Sequence, residues 1–127
     1  MTLLLDTHTF LWAIADVKRL SSAVRHRLED REAKRVVSVV SLWEIAVKTQ
    51  IGKLAMPDDP SFYEEQLGLL HASLLPIEAR HIFELMRLPL LHRDPFDRML
   101  VAQARRDSLL LVTCDAVMSG YAVERFW

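Results

Sequence analysis

Four acidic side chains, far apart in the chain, sit where chemistry can be done: Asp6, Glu44, Asp97 and Asp115. Asp6 ends the run Leu3-Leu4-Leu5, and Asp115 follows Leu109-Leu110-Leu111-Val112-Thr113 by two residues. Glu44 comes just after Val36-Val37-Ser38-Val39-Val40, and Asp97 lies in the first turn of a helix opened by Asp94-Pro95. Carboxylates brought together repel one another and raise each other's pKa unless a cation is present. Hard oxygen ligands of this kind suit Mg²⁺, or Mn²⁺. A cation so held can activate water and stabilise the leaving oxygen of a phosphodiester.

For the four acids to meet, the elements that carry them must share a rim. Met1–Asp6 reads as a strand buried on both faces, and Thr7 to Ala15 as a helix packing Phe10, Leu11, Ile14 and Ala15 on a sheet. Ser21 or Ser22 caps a charged helix running to Arg31. Val36–Val40 is rich in β-branched residues and reads as a second strand, with Ser41 opening a helix through Gln50 that Gly52 ends. After the proline-punctuated loop Met56–Pro60, Ser61 starts a helix to His71. Leu74–Ile77 is a short strand placed at an edge by Pro76, and Glu78–Leu88 is helical. Asp94 at the cap and Pro95 at the first position open a helix to Arg106 that buries Phe96, Met99, Leu100 and Ala104. Leu109–Thr113 is a fourth strand, and Val123–Trp127 a last short edge strand. Strands alternating with helices predict a parallel sheet covered on both faces. In such sheets ligands sit outside the carboxyl ends of the strands, where all four acids fall.

The chain as a whole fits this reading. Its 127 residues match one domain spanning 1–127, with no linker, repeat or low-complexity segment. No apolar run approaches the roughly 20 residues of a membrane span, and the start lacks the basic and apolar regions of a signal peptide. A single cysteine, Cys114, permits no internal disulfide and suits a reducing cytoplasm. The net charge of -1 argues against holding nucleic acid by bulk electrostatics, while leaving room for local basic patches.

Each acid also has an ordinary role open to it. Glu44 stands three residues after Ser41, the spacing of a capping box. Asp97 complements a helix dipole, Asp94 caps the same helix, and Asp115 can shape a turn. Asp6, ending a wholly apolar strand, is the hardest to explain this way. The joint pattern carries more weight than any one residue.

At these residues the chain resembles a PIN-domain ribonuclease, specifically a VapC-type toxin of a bacterial toxin–antitoxin pair. The matching pieces are Leu4-Leu5-Asp6-Thr7-His8 with Phe10-Leu11-Trp12, the stretch Ser38–Val47 containing Ser-Leu-Trp-Glu-Ile-Ala, His92-Arg93-Asp94-Pro95-Phe96-Asp97-Arg98-Met99-Leu100, and Leu111-Val112-Thr113-Cys114-Asp115. The resemblance implies a PIN-like three-layer α/β/α sandwich with a central, mostly parallel sheet of four to five strands. It implies an acidic quartet at Asp6, Glu44, Asp97 and Asp115. Of these, Asp6, Asp97 and Asp115 would ligate Mg²⁺ and Glu44 would orient or deprotonate the attacking water. It further implies an RNA substrate cut in a single strand or loop to inhibit translation, a VapB-like antitoxin and a homodimer. Thr7, Arg93, Arg98 and Thr113 lie beside the acids as candidate substrate-binding residues, while Asp94, His8 and His92 keep no assigned role. The helices flanking Met56–Pro60 offer an apolar surface to a partner.

Other α/β readings fit less well. A phosphoryl-accepting regulatory domain needs a lysine at a late strand end, where this chain has Asp115. A haloacid-dehalogenase-like phosphatase needs Asp-x-Asp after its first strand, where this chain has Asp6-Thr7-His8. The remaining alternative is a non-catalytic PIN-fold module that only binds RNA or protein.

Overall fold

Three successive leucines form β1 (Leu3–Leu5), and none of them exposes any surface. A strand can be this apolar only if both faces are covered. In the computed structural model, which describes residues 1–127, β1 is the central strand of five. Its neighbours are β2 (Arg35–Ser38) and β4 (Leu110–Val112), with β3 (Ser73–Leu75) and β5 (Arg125–Phe126) at the edges, in the order β3-β2-β1-β4-β5. Every pairing is parallel, so the expected mostly parallel sheet is wholly so. Leu5 is level with Val37 on one side and Val112 on the other, which brings three strand ends to one line.

The period-2 alternation of β1 divides the core. Leu4 faces Leu100, Leu111 and Met118, whereas Leu3 and Leu5 face Phe10, Val24, Val37, Ile45 and Val112. Each leucine so buried contributes on the order of 2 kcal/mol. The first face is covered by α5 (Ala79–Met86) and α6 (Pro95–Arg106), the second by α1 (Thr7–Ala15), α2 (Ser22–Glu29) and α4 (Pro60–Leu69). Helix α3 (Val39–Gln50) reaches both layers, through Val40 and Ile45. The three-layer sandwich is therefore the one expected. No helix is long and apolar enough to cross a membrane.

Several local expectations shift. Val39 and Val40 are the first turn of α3 and not the end of a strand, because the Ser38 side chain accepts the Val40 N–H at 3.0 Å and starts the helix early. Ser41 is consequently inside the helix and caps nothing, so the Ser41–Glu44 capping box does not form. Glu44 lies past the first turn. Helix α4 is capped by Asp59, with Pro60 at its first turn, one step before the Ser61 start expected. Ala15 is exposed, and Phe96 and Met99 are only half-buried, whereas Val101, Ala102 and Gln103 are buried in α6. The Asp94 cap, the Pro95 start and the left-handed Gly52 (φ 78°) are as read from the sequence.

Asp107, just after α6, ties this helix to α5. Its carboxylate accepts from Arg80 at 2.9 and 3.1 Å and from Nε2 of the fully buried His81 at 2.8 Å. The Glu78 N–H donates to His81 Nδ1, which leaves the ring proton on Nε2, facing Asp107. The Arg80 hydrogen bonds, helped by His81, hold the Asp107 carboxyl below the usual carboxylate range. Its stabilisation is therefore fully present above about pH 4 and is lost as pH falls through the depressed folded value. Asp107→Asn should destabilise the protein by about 1 kcal/mol at pH 7, since buried His81 loses a charged acceptor. Denaturant melts should show that deficit shrinking below pH 4.

Candidate active site

The rim above Leu5, Val37 and Val112 gathers the acids, each delivered by a different local device. Asp6 continues straight out of β1 and serves as the N-cap of α1, its Oδ1 accepting the Thr9 N–H at 2.8 Å. It is 4% exposed. Burial raises its pKa, and hydrogen bonds from Thr113 and Thr9 partly offset that. Glu44 projects from α3 and is 2% exposed. Its Oε2 meets Lys48 Nζ at 2.5 Å, one turn on, while Oε1 is buried with no partner. Asp115 caps the 3₁₀ turn Ala116–Gly120, with Oδ1 accepting the Val117 N–H at 3.0 Å. Asp94 caps α6 by accepting the Phe96 and Asp97 N–H groups at 2.8 and 3.2 Å.

Asp97 stands at the centre of this charge. Burial, then the carboxylates of Asp94 and Glu44, push its pKa up to about 7, with Asp6 adding to the rise and His92 opposing it. His92 Nε2 lies 3.0 Å from Asp97 Oδ2 and 3.6 Å from Asp115 Oδ2. One ligand atom from each of these three residues falls within 4.8 Å of the other two. The Asp94 N–H approaches His92 Nδ1 at 3.4 Å, so the ring is held on both sides, between Asp94 and Asp97, and the His92 backbone N–H donates to the Tyr121 hydroxyl and anchors the loop.

The other candidates separate by position. The Thr7 hydroxyl donates to Ser41 Oγ at 2.9 Å and ties α1 to α3. Thr113 is buried, faces Asp6 and accepts the Asp115 N–H at 3.1 Å, so it links two of the acids. Arg98 Nη1 donates to the Pro89 carbonyl at 2.8 Å and to Tyr121, fastening the loop that carries His92. Arg93 is exposed on that loop. His8 is exposed and stacks on Trp12. Sequence reasoning gave no role to His92 or Lys48, and made Ser41 a helix cap and not the acceptor of the Thr7 hydroxyl. The spacing of four between Glu44 and Lys48 was a legible signal for that pair. Nothing in the periodicity marks the other two.

The arrangement fits a small divalent cation. It offers hard oxygen donors, one imidazole nitrogen, a buried carboxylate oxygen without a partner and an acid whose ionised form is disfavoured by burial and by nearby carboxylates. A family model described as the PIN domain matches residues 3–124. The chain belongs to the PIN-domain family. This PIN domain has the fold seen in a structure of VapBC2 from Rickettsia felis bound to a DNA fragment from their promoter. The TM-score there is 0.73 and the identity 15%, over 99% of this chain and 98% of that one. DNA-bound VapBC from Salmonella typhimurium is similar at a TM-score of 0.66 and 15% identity, covering 99% and 97% of the two chains. FitAcB from Neisseria gonorrhoeae reaches 0.64 and 19%, again over 99% and 97%. Identities this low speak for the fold. Among curated proteins, none matches the chain in sequence.

The crowding has a consequence for stability. An Asp97 carboxyl with a folded pKa of about 7 binds its proton more tightly than the unfolded chain does. Ion-free protein therefore loses stability as pH rises from about 4 towards 7. Asp97→Asn should melt several degrees above wild type at pH 8 in EDTA and level with it at pH 4. A variant that melts lower at pH 8 would contradict the crowding.

Proposed function

We propose that this PIN domain is a divalent-cation-dependent endoribonuclease acting as the toxin of a toxin–antitoxin pair. The observation that carries the reading is the meeting of Asp6, Glu44, Asp97 and Asp115 at one rim of a PIN sheet, with Asp97 raised to about 7 by burial and by the neighbouring carboxylates. Asp6, Asp97 and Asp115 would hold the cation, Mg²⁺ or Mn²⁺, with His92 closing the Asp97–Asp115 side. When bound, that cation supplies positive charge at the scissile phosphate and makes water more acidic. The free Oε1 of Glu44 orients the attacking water and takes its proton. Thr113 fixes the Asp6 carboxylate, and Thr7 seats α1 against α3 so that Asp6 and Glu44 keep their spacing. Arg93, exposed beside the acids, contacts a substrate phosphate, while Arg98 holds the loop that presents it. The substrate is RNA in a single strand or loop, whose backbone can bend to bring one phosphate to the rim. Its cleavage would inhibit translation in the cytoplasm. A non-catalytic module would have no use for an unpartnered carboxylate oxygen at 2% exposure.

Purified protein should cleave RNA with Mg²⁺ or Mn²⁺, stop with EDTA, and lose on the order of 10²-fold or more in rate on Asp6→Asn. Undiminished cleavage by Asp6→Asn, with contaminating nuclease excluded, would sink the assignment.

A VapB-like antitoxin is the proposed partner, by analogy with the complexes named above. Its seat would be the apolar groove of about 570 Å³ between α3 and α4, lined by Leu42, Ile45, Ala46, Pro57, Tyr63 and Leu67. An amphipathic helix fits such a groove. A second copy of the chain is proposed for the outer face of α5, where Ile82, Phe83 and Met86 are exposed. Ala46→Arg, an exposed change that fills the groove, should leave RNA cleavage intact and abolish rescue of growth by the co-expressed antitoxin. Full rescue would place the antitoxin elsewhere.

A further inference from the structure

The acid cluster is not symmetric. On the α3 side, Glu44 already has a cation: Lys48 Nζ lies 2.5 Å from its Oε2. The Lys48 side chain is 34% exposed and Glu44 2%, so the ammonium reaches inward from the edge of the adjoining groove, which Thr7, His8, Trp12 and Lys53 also line. Asp94 and Asp97 also attract this ammonium. On the opposite side, Asp97 and Asp115 have no lysine or arginine on their carboxylates. Their shared neighbour is His92, and these three residues bring ligand atoms within 4.8 Å. Glu44 is not among them. Its free Oε1 is buried and unpartnered, next to an oxygen the lysine already occupies.

We propose that Lys48 is a resident cation of the site. It pairs with Glu44 Oε2, offsets that carboxylate's charge, and leaves room for one divalent ion on the Asp97–Asp115 side, not two. The inference rests on the metal-dependent reading above and deepens it by fixing the number of ions. A second divalent ion beside Glu44 would meet the ammonium at short range, where like charges repel strongly in a partly buried site. Lys48 is thus a positioning residue. It sets where Glu44 points and which side of the cluster is open.

Mn²⁺ titrations followed by electron paramagnetic resonance and calorimetry, without RNA, test this on wild type, Glu44→Gln and the double variant Glu44→Gln/Lys48→Met. The double variant replaces a buried ion pair with neutral side chains, a change that proteins commonly tolerate. Wild type should bind one Mn²⁺ per chain. Glu44→Gln should bind it at least about tenfold more weakly, because Lys48 is left unneutralised beside the cluster. Removing Lys48 as well should restore affinity to within about threefold of wild type. Two Mn²⁺ per wild-type chain would overturn the proposal. So would a double variant as weak as Glu44→Gln, which would make Glu44 itself a ligand. Either result leaves the metal-dependent reading intact, whereas a wild type that binds no Mn²⁺ overturns both.

Discussion

Burial of β1 on both faces is the constraint from which the rest of the molecule follows. Leu3, Leu4 and Leu5 can be wholly hidden only at the centre of a parallel sheet, and that position needs helices on each side. Once β1 is central, the residue after Leu5 must leave the core at the carboxyl rim, between the ends of β2 and β4. That residue is Asp6. The same register that levels Leu5 with Val37 and Val112 delivers the start of α3 and the turn holding Thr113 and Asp115 to either side of it. Placement of the acids thus follows from the hydrophobic packing of β1.

That repulsion is managed with local hydrogen bonds. Asp6 and Asp115 each give one oxygen to a backbone N–H at a helical start, and Asp94 does the same for α6. Glu44, too far into α3 to cap it, gives one oxygen to Lys48 instead. The structural and functional readings of these residues are therefore compatible: one carboxylate oxygen can fix the backbone while the other faces the site. Asp97 is the exception. Its carboxylate has no backbone donor among its hydrogen bonds and only His92 close by, and its pKa is pushed up to about 7. An acid left without compensation at the centre of a cluster is where a bound cation relieves the most.

The legible part of this architecture was the part written in periodicity and punctuation. The apolar strands, Asp94-Pro95 and Gly52 each announce an element or its end through a property of that residue alone. The beginning of α3 was misread because Val39 and Val40 look like strand by composition, and because Ser41 stands at capping-box distance from Glu44. The helix in fact starts from Ser38, whose hydroxyl reaches Val40 N–H first. His92 was left without a role since its position beside Asp97 and Asp115 depends on a loop held by Tyr121 and Arg98, contacts between residues 23 to 29 positions apart. No spacing rule encodes such contacts. Lys48 is intermediate: its pairing with Glu44 follows from helical spacing, but its meaning needs the burial of Glu44.

The charge distribution also bears on how a polyanion could approach such a rim. The net charge is only -1, yet Asp6, Glu44, Asp94, Asp97 and Asp115 are concentrated at one place. RNA phosphates are repelled from that place while it is uncompensated. The nearby cations are arranged around it: Lys48 on one side, Lys53 and Arg19 along the adjoining groove, and Arg93 on the opposite loop. Under the proposed function these charges would draw the flanking phosphates, while the phosphate to be cut could come to rest at the acids only with a divalent ion in place. Binding of the ion and productive seating of RNA are then linked by electrostatics alone, with no conformational change required.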